Sequence, residues 1–260
     1  MAKETECDAV KFQKRTIDLV YSKEVLDSPR ESPWGKTQRD QKVGLEFTRS
    51  DYDAIDVYCR QKSIPWFASA WDLESQKFLQ SYKLPYNKIA SAMLTYLPLL
   101  EMVAQERRHT FVSTGMSTLQ DIDRAVAIFQ KHQCPFTLLH SVSNYPCEDD
   151  ECNLLMIRTL RERYGCEVGY SGHDKGVIGA VLAVALGAAV IEKHITLDRT
   201  MYGSDQAASL ERRGIELVVR DCRAVRAVFG TGIKTISEKE LLVARKLRYF
   251  EDSPAKSSKS

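Results

Sequence analysis

The sequence predicts an α/β protein built as a (β/α)₈ (TIM) barrel, and three observations carry that prediction. From residue 64 onward, short apolar runs alternate with segments of helical period. The runs are continuously apolar, as in strands buried on both faces of a parallel sheet whose connections are crossover helices. Polar residues gather at the C-terminal ends of these runs, which converge on one mouth when such a sheet closes.

Each element follows in order. "DAVKFQK" is the first strand, and residues 15–45 are too long for a simple crossover, which predicts a loop with short helices lying over the mouth as a lid. A helix over 50–61 leads to the strand "IPWFASAWD", a helix over 73–82 to "PYNKIAS", and a helix over 96–107 to "HTFVSTG". The next helix, 117–133, opens on a capping box, Ser117 with Gln120. It leads to "PFTLLHS", then a helix over 153–164, "EVGYSGH", a helix over 176–186, "AAVIEKHITLD" and a last helix over 210–229. No GxGxxG follows any strand, which weighs against the open dinucleotide-binding sheet. Seven strands are legible and a closed barrel has eight, so the expectation is a barrel with an incomplete first repeat over 1–250 and a disordered polar tail over 251–260.

Bulk properties narrow the function. With 43% apolar and 28% charged residues and a net charge of +2, the chain has neither the polarity of a disordered segment nor the imbalance of a nucleic-acid arm. No window reaches the length of a membrane span and no signal-peptide core is present, so a cytoplasmic protein with no nucleic-acid or membrane partner is expected. Seven cysteines without a CxxC pair predict free thiols. Cys147 and Cys152, in "CEDDEC", read as part of a solvated acidic loop in preference to a metal hook.

Two of the five histidines, His173 in "GYSGHD" and His194 in "IEKHITLD", end successive strands. Neighbouring parallel strands lie about 4.8 Å apart, so imidazoles at matching heights can reach one metal ion. By strand alternation Glu192 shares the face of His194, as a further ligand or an interior residue. Lys11, Lys88, Ser91, Ser113 and Ser171 bring ammonium and hydroxyl donors to the same mouth, a ring suited to a phosphate or carboxylate. Ser69, Asp72, His140 and Ser141 also stand at strand ends. A strand-end lysine, Lys11 or Lys88, is alternatively the nucleophile of a Schiff-base aldolase. Asp198 and Asp205 are candidate acid, base or sugar contacts, and Asn144, Tyr145 and Pro146 read as a substrate-contacting loop.

Taken in order, "KFQK", "FASAWD", "NKIAS", "STGM", "SVSNYP", "GYSGH", "ALGAAVIEKHITLD" and "GSDQAASLE" resemble the sialic acid synthase family over about residues 8 to 245. The resemblance implies a barrel that condenses phosphoenolpyruvate with an open-chain N-acetylated hexose, usually N-acetylmannosamine, and releases phosphate. It implies a divalent cofactor, Mn²⁺ or Mg²⁺, on His173 and His194; anion contacts from Lys11, Gln13, Lys88, Ser91, Ser113, Tyr145 and Ser171; and a sugar contact from Asp205. Family members open with a strand of the type "AEIGxNHxG" and carry a C-terminal domain that lends an arginine to the partner subunit of a homodimer; "SEKELLVARKLRYF" resembles the linker toward it. Met93 stands where the family has a glutamate, and Gln206 where it often has histidine. A barrel remnant that binds phosphoenolpyruvate or a partner subunit without turnover is the other expectation.

Overall fold

A computed structural model describes residues 1–248. Strand β1 (Val10–Lys14) is followed by α1 (Ile17–Val20), α2 (Lys23–Asp27), a hairpin of β2 (Pro29–Ser32) and β3 (Gly35–Thr37), and α3 (Gln38–Leu45). Strands and helices then alternate: α4 (Arg49–Gln61), β4 (Trp66–Ala70), α5 (Leu73–Gln80), β5 (Asn87–Ile89), α6 (Leu97–Gln105), β6 (Thr110–Ser113), α7 (Leu119–Lys131). They continue with β7 (Phe136–Ser141), α8 (Met156–Tyr164), β8 (Val168–Gly172), α9 (Ile178–Ala185), β9 (Ile191–Lys193), α10 (Arg212–Phe229) and α11 (Glu238–Leu247).

The described residues fall into two compact units, Met1–Val225 and the residues from Arg226 onward. In the first, seven parallel strands form one sheet in the order β1-β4-β5-β6-β7-β8-β9. All seven predicted runs are strands of this sheet. As seven legible strands lead one to expect, the sheet of the described residues does not close into eight: it is open between β1 and β9, and it is curled. The curl brings Lys11 Nζ, on the first strand, within 3.3 Å of Glu192 Oε1, on the last. Every residue of β4 and β8 is buried, because helices cover one face and the opposite face lines the curl. The main core joins Tyr52, Trp66, Leu79, Leu99, Leu100, Val112, Phe129, Leu138 and Ile157 from strands and helices alike. A smaller cluster of Ala180, Leu210, Ile215 and Val218 seats α10.

Helix starts follow local chemistry. Thr48 with Asp51 and Thr118 with Asp121 are complete capping boxes. The box expected at Ser117 therefore sits one residue later: Ser117 Oγ donates to the Gly115 carbonyl, and Thr118 is the residue with the extended backbone that lets its hydroxyl accept from Asp121 N. The predicted lid contains short helices and also the unpredicted β2–β3 hairpin. That hairpin is exposed and lacks the apolar alternation that marks a strand in sequence. Tyr202 joins the lid to the loop after β9, accepting from Gln41 Nε2 at 3.1 Å, donating to the Glu31 carbonyl at 3.3 Å and packing edge-on against Trp34.

In the second unit, α11 starts at Ser237, whose hydroxyl accepts from Glu240 N. The expected tail, 251–260, lies outside the described residues. No helix of the described residues is long and apolar enough to cross a membrane.

Candidate functional site

Parallel register sets the heights of the strand ends. Gln13 stands beside Ser69, Ser69 beside Lys88, Ser171 beside Glu192 and Gly172 beside Lys193. Alternation then sends Lys11 and Gln13 to one face of β1, while Phe12 turns to the helix layer and packs on Trp66. The result is a cavity of about 240 Å³ lined by Lys11, Gln13, Lys88, Ser91, Ser113, Tyr145, Ser171, His173, His194 and Asp205. Every candidate substrate or metal residue named from the resemblance is thus brought to one place.

Glu192 is the hub. Its Oε1 accepts from Ser171 Oγ at 2.9 Å and from Lys11 Nζ at 3.3 Å, and lies 3.9 Å from Lys88 Nζ. Lys88 is 2% exposed and donates to Ser113 Oγ at 2.7 Å and to the Ile89 carbonyl at 2.9 Å. Burial would raise Glu192, but the two lysines and the Ser171 hydroxyl outweigh it and hold the carboxyl at about 2. An ion pair alone would raise Lys88; burial wins there because its carboxylate partner is the more distant of its neighbours, and the amine falls to about 7.

The two imidazoles face each other edge to face, with ring centroids 5.3 Å apart. Tyr145 packs over both, 4.0 Å from the His173 centroid and 5.6 Å from that of His194. Burial lowers His173 and brings His194 to about 4, so both rings are neutral near pH 7. His173 Nδ1 lies 2.5 Å from the Val142 carbonyl, which can only accept. The proton is thereby fixed on Nδ1, and the lone pair of Nε2 is free for a metal. His194 Nδ1 lies 3.5 Å from Asp205 Oδ2. No group of three or more His, Cys, Asp or Glu residues arranged to hold a metal occurs among the described residues. The pair fits an ion whose remaining positions go to substrate and water, as in open catalytic sites.

The sequence reading did not pick out Arg15, Trp71, Ser143 or Ser204, which also line the cavity, and it left the role of Glu192 open. Arg15 continues the Lys11, Gln13 alternation, and its guanidinium lies 4.1 Å over the Trp71 ring and donates to Gln13 Oε1 at 2.9 Å. The cavity lining therefore carries three basic side chains, Lys11, Arg15 and Lys88, against two carboxylates, Glu192 and Asp205.

Other strand-end candidates lie elsewhere. His140 is buried with Nε2 on the Cys152 carbonyl at 2.8 Å, and Ser141 is buried outside the cavity lining. Asp72 caps α5 and accepts from Thr16. Asp198 accepts from Thr200 in a turn, and Asn144 donates to Glu151. The acids of "CEDDEC" are exposed, but both thiols are buried with sulfurs 3.8 Å apart, and all seven cysteines are free.

Comparison with known proteins agrees with this geometry. The sequence profile of the NeuB family matches residues 1–234. An N-acetylneuraminate-9-phosphate synthase of Drosophila melanogaster is 37% identical over 214 residues, covering 81% of this chain and 58% of the fly protein. The human N-acetylneuraminate-9-phosphate synthase is 34% identical, covering 95% of this chain and 70% of its own length. This chain thus spans under two thirds of the fly relative. Among solved structures, an N-acetylneuraminic acid synthetase from Leptospira borgpetersenii superposes with a TM-score of 0.80 at 29% identity, over 97% of this chain and 85% of that one.

Proposed function

The chain belongs to the NeuB family, the sialic acid synthases, and from that premise we propose that its mouth condenses phosphoenolpyruvate with an open-chain N-acetylated hexose, forming a nine-carbon sugar acid and phosphate. One observation carries the reading: a neutral imidazole pair and a lysine-rich anion site share a single cavity.

Lys11, Lys88 and the hydroxyls of Ser91, Ser113 and Ser171 hold the phosphate and carboxylate of phosphoenolpyruvate. Charge-assisted bonds from ammonium groups are about twice as strong as neutral ones. Binding of a dianion returns the proton to Lys88, which burial otherwise keeps near neutrality. Glu192 keeps both ammonium groups in place. His173 and His194 would hold a divalent ion, with Mn²⁺ suiting two imidazoles better than oxygen-seeking Mg²⁺. When bound, such an ion supplies Lewis acidity to a carbonyl oxygen. The third carbon of phosphoenolpyruvate forms a bond to the sugar aldehyde carbon; water adds at the second carbon, and the bond from that carbon to the phosphate oxygen breaks. Tyr145, packed over the imidazoles, shields them from bulk water, and Asp205 at the rim faces the sugar.

The test is a phosphate-release screen with phosphoenolpyruvate and N-acetylmannosamine, its 6-phosphate or the legionaminate precursor, using phosphoenolpyruvate labelled with ¹⁸O in the bridging position. The expected result is sugar-dependent release of labelled phosphate. Unlabelled phosphate would show hydrolysis at phosphorus, and release indifferent to sugar would show hydrolysis without condensation; either would overturn the reading.

A second reading has one observation of its own. An amine brought to about 7 by burial is a competent Schiff-base nucleophile, which makes Lys88 the aldolase candidate. Borohydride trapping of a carbonyl substrate on Lys88, with turnover indifferent to chelators, would establish it in place of the condensation.

A further inference from the structure

Behind the mouth, on the helix side of the sheet, lies an ion pair that no step above uses. Lys193 and Asp174 have side chains 5% and 1% exposed, with Nζ 2.9 Å from Oδ1. Lys193 Nζ also donates to the Asp174 carbonyl at 2.6 Å, and the Tyr170 hydroxyl donates to Asp174 Oδ1 at 2.9 Å. Neither residue lines the cavity. Alternation along β9 turns Lys193 away from Glu192 and His194.

Stability alone does not account for this pair. Buried ions lose hydration that their mutual attraction only partly restores, and well-packed apolar replacements are often neutral or stabilising. The surroundings are nevertheless shaped to it. A Cβ on Gly172 would come within 2.7 Å of Asp174 Oδ1, and one on Gly179 within 3.0 Å of Oδ2. Asp174 Oδ2 is buried without a hydrogen-bond partner, so the carboxylate is held through Oδ1 alone, while the Asp174 backbone carbonyl accepts separately from Lys193.

The decisive feature is where these two residues stand. Asp174 directly follows His173, and Lys193 directly precedes His194. One ammonium, bonded twice to Asp174, therefore ties the backbone just after one imidazole to the strand residue just before the other. The His173 carbonyl is fixed as well, accepting from Cys147 N at 3.0 Å. We propose that Asp174 and Lys193 are positioning residues which set the separation and orientation of the His173 and His194 rings, and with them the affinity of the mouth for a divalent cation. The proposal rests on the metal reading of the imidazole pair.

Its test is Mn²⁺ titration of the full chain, following the electron paramagnetic resonance signal of the free ion, alongside sulfate titration and thermal melting. Wild type is compared with Lys193→Met, Asp174→Asn and the double variant Asp174→Asn/Lys193→Met. Outer partners of metal ligands typically carry about 10- to 100-fold in affinity, and that loss of Mn²⁺ binding is expected in all three variants. Sulfate binding, governed by Lys11 and Lys88, stays within about twofold, as for sites without shared partners. The double variant leaves no unpaired buried charge, so its melting temperature returns toward wild type while its Mn²⁺ affinity does not. A pair that served packing alone would not separate the two readouts. Folded variants that bind Mn²⁺ like wild type would overturn the positioning role. A wild-type chain that binds no Mn²⁺ at the mouth would instead overturn the metal reading, and this inference with it.

Discussion

The two ends of the same sheet handle polar groups in opposite ways. At the N-terminal end Glu106 closes a network: it accepts from Gln76 at 2.6 Å, Gln80 at 2.9 Å and Asn87 at 3.0 Å, and pairs with Arg108 at 3.4 Å. His109 there meets Thr137 Oγ1 at 3.0 Å. At the C-terminal end, lysines crowd one carboxylate, Lys88 is drawn to about 7, and two neutral imidazoles face the cavity. The first end satisfies itself, while the second leaves basic side chains and two imidazoles facing an open cavity, the arrangement on which the proposed function rests. This is the division expected of a strand layer whose one end stabilises and whose other end binds.

Substitutions should separate the two ends. The largest effect belongs to the imidazoles: His173→Ala and His194→Ala are each expected to lower sugar-dependent phosphate release by on the order of 10³-fold, the scale of losing a preorganised electrostatic stabiliser, while circular dichroism and melting stay near wild type. Lys88→Met comes next. Losing one charge-assisted bond removes about 1.5–3 kcal/mol, so sulfate affinity measured by calorimetry should fall roughly 10- to 150-fold.

The pH dependence is smaller and has a fixed sign. In the free mouth Lys88 loses its proton as pH rises through about 7, whereas a bound dianion keeps the proton on. Sulfate does not titrate in this range, so its affinity should be full below pH 7 and decline above it, by at most about tenfold per pH unit for one linked proton. In Lys88→Met the profile should be flat between pH 7 and 9. A wild-type profile just as flat would contradict the lowered amine. At the other end, Glu106→Gln should cost about 1–3 kcal/mol of stability, read as a lower melting temperature, because three amide donors lose a charged acceptor. Turnover well below the melting point should be unchanged, and a large loss of turnover there would break the contrast between the ends.

Much of the mouth could be read in advance because it follows from local rules. Period-two alternation places Lys11 with Gln13 and Glu192 with His194, and adjacent strand ends place His173 beside His194. Position at a strand end is insufficient by itself: His140 stands at such an end and turns to the Cys152 carbonyl, a partner twelve residues away that no pattern marks. The role of Glu192 was hidden for the same reason. Its partners Lys11 and Lys88 come from strands far away in sequence, and only the curl of the sheet brings them together. The β2–β3 hairpin escaped because strands of three and four residues without apolar alternation carry no strand signature. The ion pair of Asp174 and Lys193 escaped because nothing in the sequence marks these two charges as buried and paired across strands.

The most direct test of the central claim is phosphate release from phosphoenolpyruvate and the best amino sugar of the screen, with added Mn²⁺, after exhaustive chelation, and in His194→Ala. The account predicts release that depends on the sugar, disappears on chelation, returns with Mn²⁺ and does not return in His194→Ala. Undiminished release after chelation, or in His194→Ala, would contradict it.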